Sequence, residues 1–218
     1  MLIVTPPPCD NFSLSPNLRR TDMYITKQSK TIRRAFKLKS ARLMALIISS
    51  FALATSPVSQ ALVLKDTVFA KAGAEYNVDP ALLYSIALVE SAIDAPKKGF
   101  LKPSPWTLRT NKPYYAKSKQ EAEALLERLM MTNKSIDVGM MQINLKWHGH
   151  RVKSPKELLD PLTNVRTGAQ ILSEQIKRYP KDAALAVGNY HSSRPERARW
   201  YARHVLRVYT NLKSQKHK

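Results

Sequence analysis

The chain has 218 residues and a formal net charge of +20. A positive field of this size attracts polyanions such as nucleic acid, lipid headgroups or an anionic cell-wall polymer. The basic residues are scattered without a recognisable nucleic-acid-binding module, so we expect most of them to be solvated surface charges. We therefore expect no nucleic-acid partner.

Residues 1–61 have the features of an export signal. An apolar stretch of twelve residues, Leu43–Ala54, follows a basic region and precedes the small-x-small sequence Ser59-Gln60-Ala61. The basic region consists of Lys27, Lys30, Arg33, Arg34, Lys37, Lys39 and Arg42. Twelve residues are too few to cross a bilayer comfortably, so we expect cleavage near Ala61, a periplasmic protein and no stable membrane span. A retained signal anchor is the alternative, and translation from Met23 fits the same pattern.

The mature chain, residues 62–218, is long enough for one domain with its own core. The only cysteine, Cys9, precedes the apolar stretch, so the mature chain has no cysteine to oxidise or to carry a lipid. Helix signals dominate, and we predict an all-α domain with one minor hairpin. The predicted helices are Leu64–Tyr76, Asp79-Pro80 to Ser91, Ser118 to about Met131, a short one from Ser154-Pro155, one from Asp160-Pro161, Lys181–His191 and Pro195–Leu212.

An aromatic-rich insert at about 95–135 interrupts the helical pattern. The sequence from Trp106 to Tyr115 predicts a small β-hairpin, since short apolar runs flank Asn-Lys-Pro. If Trp106, Tyr114 and Tyr115 are exposed, they can stack on sugar rings as a groove wall. The alternative is an apolar cluster beneath a long loop.

Glu90 is the candidate catalytic acid. On the predicted helix it shares a face with Leu83 and Ala87 and lies near the C-terminus. We expect partial desolvation and the negative end of the helix dipole to raise its pKa. A carboxyl that stays protonated near neutral pH can donate a proton to the leaving oxygen of a glycosidic bond. An ordinary exposed Glu at a helix end is the alternative.

A glycosidase that uses two carboxylates needs a second acid. Asp94 lies one turn after Glu90, and Asp137 precedes a Gly-Met-Met-Gln turn, although Asp137 can equally be a helix cap or turn former. If neither serves, a hydroxyl of the substrate itself must be the nucleophile. Such a hydroxyl can outcompete water because its effective concentration beside the reacting carbon is very high.

Four short motifs, in this order, resemble those of the soluble-lytic-transglycosylase-type domain. They are Glu90-Ser91, Gly139-Met-Met-Gln-Ile-Asn144, Asn164-x-x-x-Gly168-Ala169 and Ala186-Val-Gly-Asn-Tyr190. The similarity extends from about Leu64 to Tyr209 and is greatest to the small versions that accompany type IV secretion systems, conjugative pili and type IV pili. The resemblance implies a lysozyme-like helical domain. It also implies cleavage of the β-1,4 bond between N-acetylmuramic acid and N-acetylglucosamine in peptidoglycan, leaving a 1,6-anhydro end.

The resemblance implies roles for individual residues. Glu90 would be the lone acid that later acts as base, with Ser91 orienting it and Tyr190 close to it. The substrate-binding residues it implies are Ser91, Met141, Gln142, Asn144, Tyr190 and His191. An amide of the groove motif can hold an N-acetyl group, whereas Met140 is expected to pack in the core. The family's Tyr-Asn-x-Gly reads Tyr190-His191-Ser-Ser here, which leaves the role of His191 open.

The remaining histidines do not predict a metal site. His148-Gly-His150 lacks a third ligand at metalloprotease spacing, and no cysteine is available. We therefore expect no metal and no other cofactor. We expect Trp147 and His148 to pack behind the groove.

We predict an exported peptidoglycan lytic transglycosylase that opens the wall locally for an envelope-spanning machine. Its partners would be glycan strands and components of a type IV secretion, conjugation or pilus machine. One alternative is a goose-type muramidase, which has the same fold but uses water and a second carboxylate, Asp94 or Asp137. The other is a non-catalytic basic module that binds the wall or nucleic acid.

Overall fold

The computed structural model describes residues 64–95 and 100–214. The proposed export signal, with its cleavage site, lies outside the described residues. Within them the chain forms seven α-helices, two 3₁₀ helices and six short strands. The helices are α1 Val68–Tyr76, α2 Pro80–Ser91, α3 Lys119–Thr132, α4 Leu145–His148, α5 Pro161–Arg178, α6 Ala183–His191 and α7 Pro195–Ser214. The 3₁₀ helices are Gly149–Arg151 and Pro155–Leu159.

Helix α2 lies at the centre of the domain, packed by α1, α5 and α7. Its sequence PALLYSIALVES is apolar on every side, which is typical of a helix surrounded by protein. The Asp79 carboxylate caps it by accepting a hydrogen bond of 2.7 Å from the Ala81 N–H. The other Asp79 oxygen accepts a hydrogen bond from Tyr209 and pairs with Lys213, both on α7. These contacts fix the direction of α2 and therefore the position of Glu90 at its far end.

The strands form two small antiparallel sheets. In the first, β1 (Ala92–Asp94) pairs with β2 (Leu101–Pro103). The second has the order β4-β3-β5-β6 and consists of Thr107–Arg109, Pro113–Tyr115, Asp137–Val138 and Ile143–Asn144, numbered β3 to β6 along the chain. In this sheet Arg109 is the direct partner of Asp137, and Asp137 is also the partner of Asn144. The sheet therefore brings the insert next to the Gly139–Gln142 turn.

The predicted helical architecture and the hairpin are confirmed, and the element bounds differ by a few residues. Helix α1 begins at Val68 rather than Leu64, because Thr67 is its N-cap. The Ser118 hydroxyl caps α3 as predicted, but the Glu121 carboxylate accepts from the Lys117 N–H rather than from Ser118. The pairing of the hairpin with β5, and of β5 with β6, was not predicted.

Of the two interpretations of the insert aromatics, sugar-stacking residues or an apolar cluster, the structure favours the second for Trp106 and Tyr114. Trp106 and Tyr114 are partly buried and pack against the main core, and only Tyr115 is an exposed large side chain. None of the three lines the cleft described below. The packing favours the apolar-cluster alternative for Trp106 and Tyr114.

None of the helices within residues 64–95 and 100–214 combines the length and the apolar composition needed to cross a membrane.

Candidate active site

A cleft of about 220 Å³ opens where the end of α2, the second sheet, α4 and the end of α6 meet. Its lining residues are Glu90, Arg109, Asp137, Gln142, Ile143, Asn144, Trp147, His148, Ile171, Tyr190 and His191. Five residues that the sequence assigned to catalysis or binding therefore meet here, namely Glu90, Gln142, Asn144, Tyr190 and His191. Ser91 and Met141 do not line the cleft.

Glu90 lies on the buried floor of the cleft, with 6% of the residue exposed. Nδ1 of His191 lies 3.7 Å from its carboxylate Oε1, which is an ion-pair distance and too long for a hydrogen bond. The Arg109 guanidinium donates to the Glu90 backbone carbonyl at 3.2 Å. The buried Tyr201 side chain on α7 also interacts with the carboxylate. The side chains of His191, Arg109 and Tyr201 thus lie around Glu90.

The predicted rise in the pKa of Glu90 is wrong. Burial does raise the pKa of this carboxyl, but His191, Arg109 and Tyr201 each lower it, and the net direction is below the ordinary value. The expectation used only the helix end and the loss of solvent. The groups that reverse the direction come from β3, α6 and α7, far from Glu90 in sequence.

The Gly139–Gln142 turn carries the cleft wall and depends on unusual backbone geometry. Gly139 has φ 78° and Gln142 has φ 48°, both in the left-handed region. A Cβ on Gly139 would also collide with the side chain of Asn164. The turn can therefore approach α5 closely only with glycine at this position.

Asn164, on α5, holds this turn in place. It is 1% exposed and accepts a hydrogen bond of 2.8 Å from the Met141 N–H. Its amide nitrogen donates to the carbonyls of Val138 and Leu158 at 2.8 and 2.9 Å. A Cβ on Gly168, one helical turn later, would collide with the Met141 side chain. The Asn164-x-x-x-Gly168 pattern thus anchors the turn rather than contacting the cleft.

Ser91 and Met141 do not have the exposure that substrate contact requires, so their predicted direct binding role is wrong in this structure. Both are 0% exposed. The Ser91 hydroxyl donates to the carbonyls of Ala87 and Met140, at 3.0 and 2.9 Å, and so ties the end of α2 to the turn. The Met141 side chain packs in the core, and the Met141 backbone carbonyl accepts a hydrogen bond of 2.8 Å from the Tyr190 hydroxyl. Both residues therefore have a structural role: they hold the backbone of the Gly139–Gln142 turn beside Glu90.

Gln142 and Asn144 line the cleft with amides that are largely used within the protein. Gln142 donates to the carbonyls of Thr107 and Gly139, while its Oε1 is buried without a hydrogen-bond partner. Asn144 donates to Ser135 and to the Asp137 carboxylate at 2.8 and 2.7 Å. Its Oδ1 accepts from the backbone N–H of Lys146 and so caps α4. Of the Asn144 amide, only the second lone pair of Oδ1 remains for a ligand.

Asp137 is the second carboxylate of the cleft, and Asp94 is not part of it. Burial raises the pKa of Asp137 and the Asn144 hydrogen bond lowers it, while the neighbouring Glu90 charge adds to the rise, so that the net direction is upward. Asp137 is neither a helix cap nor a simple turn former, since it sits in β5 between Arg109 and Asn144. Asp94 is exposed on β1, opposite Leu101.

His191 is fixed by an aromatic stack. Its ring lies parallel to that of Tyr201, with centroids 4.6 Å apart and an interplanar angle of 7°. The Tyr190 ring also stacks with the Tyr201 ring, and their centroids are 6.4 Å apart. Burial raises the pKa of Tyr190 and of Tyr201 well above the ordinary value, with the Glu90 charge adding to it, so both hydroxyls keep their protons.

Trp147 and His148 line the cleft rather than packing behind it, which corrects the expectation. Trp147 is 65% exposed and stands on the short α4 at the rim. Burial lowers the pKa of His148, and the charges of Arg151 and His150 lower it further, so its ring is neutral near pH 7. Among the residues that the structure describes, no group of three or more His, Cys, Asp or Glu side chains is placed to hold a metal ion.

Arg109 and Tyr201 are the site residues that sequence reasoning missed. Arg109 belongs to the predicted hairpin, but nothing in the sequence shows that this hairpin pairs with β5 beside Glu90. Tyr201 looks like an ordinary core position of α7, and it is 1% exposed. For Arg109, the available signal was an arginine within an insert rich in aromatics. For Tyr201, the sequence contains no signal of a role in the site.

The model of the family described as the transglycosylase SLT domain matches residues 67–205. This match covers all four motifs and every residue that lines the cleft. No curated protein sequence matches the chain significantly.

Proposed function

The chain belongs to the transglycosylase SLT family, whose members are lytic transglycosylases that act on peptidoglycan, and we propose that Glu90 is its catalytic acid and base. The proposed reaction cleaves the β-1,4 bond between N-acetylmuramic acid and N-acetylglucosamine and leaves a 1,6-anhydro end. The observation that carries this proposal is the buried Glu90 on the floor of a cleft, beside His191 and Arg109. Family membership also favours an enzyme over a non-catalytic basic module.

The proposed reaction needs one proton donor and no water. Protonated Glu90 gives its proton to the glycosidic oxygen as the bond from that oxygen to C1 of the muramoyl residue breaks. The C6 hydroxyl of the same sugar forms the new bond to C1, and the Glu90 carboxylate takes the hydroxyl proton. The enzyme ends in its starting protonation state. The C6 hydroxyl competes with water because it is already held beside C1.

The cleft walls would orient the sugar. Trp147 offers an exposed ring at the rim on which a sugar face can stack. The free lone pair of Asn144 Oδ1 can accept the N–H of an acetamido group. Tyr190 holds the Met141 carbonyl, and through it the Gly139–Gln142 turn, at the side of the cleft.

Hydrolysis is the second candidate, and the position of Asp137 favours it. A muramidase would use this carboxylate to activate water on the face of the sugar opposite Glu90. The exposed Asp94 does not reach the cleft and is not a candidate. Asp137 is instead held by Asn144 at 2.7 Å, which suits a residue that maintains the cleft wall.

The mass of the released muropeptides decides between the two reactions. Purified sacculi digested with the mature protein should give muropeptides lighter by one water than those from a hydrolase. Asp137→Asn should leave this anhydro product unchanged, because the substrate supplies the nucleophile. Reducing ends of full mass in the wild-type digest, lost in Asp137→Asn, would establish hydrolysis instead.

We further propose that the protein is exported to the periplasm and opens the wall locally for a secretion, conjugation or pilus machine. Activity on peptidoglycan requires access to the wall, and the signal-like sequence before Leu62 provides for export. N-terminal sequencing of the protein from a periplasmic fraction should begin at or near Leu62. An uncleaved chain confined to the cytoplasm would contradict this proposal.

A further inference from the structure

His191, at the end of α6, is an ionisable neighbour of the Glu90 carboxylate in the cleft. Nδ1 lies 3.7 Å from Oε1, and the stack on Tyr201 holds the ring in this orientation. The carboxylate side chain is 8% exposed and the imidazole side chain 35%. The imidazole can therefore exchange protons with solvent, while the carboxylate is shielded from it.

We propose that His191 and Glu90 form a coupled pair that carries one proton, in which His191 positions and stores the proton that Glu90 delivers to the glycosidic oxygen. The proposal rests on the function proposed above. An asparagine cannot store a proton, whereas histidine is the side chain whose charge ordinarily changes between pH 5 and 8.

The proton balance of the reaction permits such a pair. Before catalysis, Nδ1 of the imidazolium gives its proton to Oε1, which yields a neutral imidazole and a neutral carboxyl group. Glu90 then protonates the leaving oxygen and recovers a proton from the C6 hydroxyl. The pair gains and loses no proton in a turnover, so it needs none from solvent between cycles.

The arginine and tyrosine side chains around the pair do not exchange protons in the same pH range. Arg109 on β3 keeps its charge, and Tyr190 on α6 and Tyr201 on α7 keep their hydroxyl protons. Burial and the Glu90 charge raise the pKa of Asp137 on β5, while Asn144 and Arg109 lower it, and the net direction is upward. Burial raises the pKa of Glu90, but His191, Arg109 and Tyr201 lower it, and the net direction is below the ordinary value.

Coupled titration gives the expected pH dependence. The last proton leaves a coupled pair at a pH no lower than the pH at which it would leave either group alone. The wild-type enzyme should therefore stay active to higher pH than a variant in which Glu90 titrates by itself. In that variant the fall in rate at alkaline pH should begin about one pH unit lower, while the rate at acidic pH should be equal or higher.

The test is the pH profile of kcat/KM on soluble glycan strands for His191→Asn, which keeps a polar side chain at this position but removes the ionisable ring. His150→Asn is the matched control, because His150 is exposed and lies outside the cleft. We expect the alkaline limb to move down in His191→Asn and to stay in place in His150→Asn. Superimposable profiles, an upward shift, or loss of activity at every pH in a folded variant would each overturn the proposal.

A second measurement does not depend on the reaction. In an NMR titration of the free protein, the side-chain carboxyl signal of Glu90 should titrate at a higher pH in His191→Asn than in wild type, because His191 lowers the pKa of Glu90. Identical titrations would overturn the pairing even if the enzyme is a transglycosylase. A shifted titration in a protein whose products prove to be hydrolytic would retain the pair and refute the proposed reaction.

Discussion

Replacing Asn164 by alanine should destabilise the domain much more than replacing Asn133 by alanine. The change removes three hydrogen bonds, those to the Met141 N–H and to the carbonyls of Val138 and Leu158. The two bonds to carbonyls contribute about 1 kcal/mol each, and the buried Met141 N–H left without an acceptor costs about 1–3 kcal/mol. We expect a loss of about 3–5 kcal/mol in the free energy of unfolding. Domains are ordinarily stable by only about 5–15 kcal/mol.

Urea denaturation of the purified mature protein, followed by circular dichroism, measures this loss. With a denaturant slope of about 2 kcal/mol per molar urea, the midpoint should fall by about 2 M. Asn133→Ala is the matched control, because the Asn133 amide bonds only to the neighbouring Thr132 hydroxyl and to the Leu129 carbonyl at the end of α3. A midpoint within about 0.5 M of wild type for Asn164→Ala would refute its role as the anchor of the turn.

Two further predictions concern the cleft itself. Trp147→Ala should raise KM for glycan strands by about tenfold with kcat little changed, because ring stacking stabilises the bound ground state and the transition state equally. The control Tyr115→Ala, which removes an exposed ring outside the cleft, should leave KM unchanged. Arg109→Gln removes a positive charge that lowers the pKa of Glu90, so that pKa should rise and the alkaline limb of the rate profile should move to higher pH. Lys112→Gln, the same charge change on the exposed turn of the hairpin, should not move it, and an equal shift in both variants would show a general charge effect.

The helices were predictable because their ends are marked by local chemistry. Asp79-Pro80, Ser118 and Asp160-Pro161 cap their helices within a few residues of their own position, so the signals are complete in the sequence. Of the four-stranded sheet, only the β3–β4 hairpin could be predicted from the sequence. Its pairing with β5 depends on packing between segments about thirty residues apart, which no local pattern specifies.

The candidate site was predictable in its residues more than in their contacts. The motifs named Glu90, Gln142, Asn144, Tyr190 and His191, and all five line one cleft. The sequence could not show that Ser91 and Met141 turn inward, since short polar and long apolar side chains can face either way near a turn. The direction of the Glu90 pKa was missed because it depends on His191, Arg109 and Tyr201, which lie far from Glu90 in the sequence.

The most direct test of the account is the turnover of Glu90→Gln on purified peptidoglycan. Glutamine keeps the size and hydrogen-bonding capacity of the side chain but has no carboxyl proton to donate. We expect the rate of glycan release to fall by at least about a hundredfold, the lower range for general acid catalysis. Urea denaturation should show that the variant is folded. Wild-type turnover by a folded Glu90→Gln protein would contradict the central claim that this buried carboxyl group cleaves the glycan.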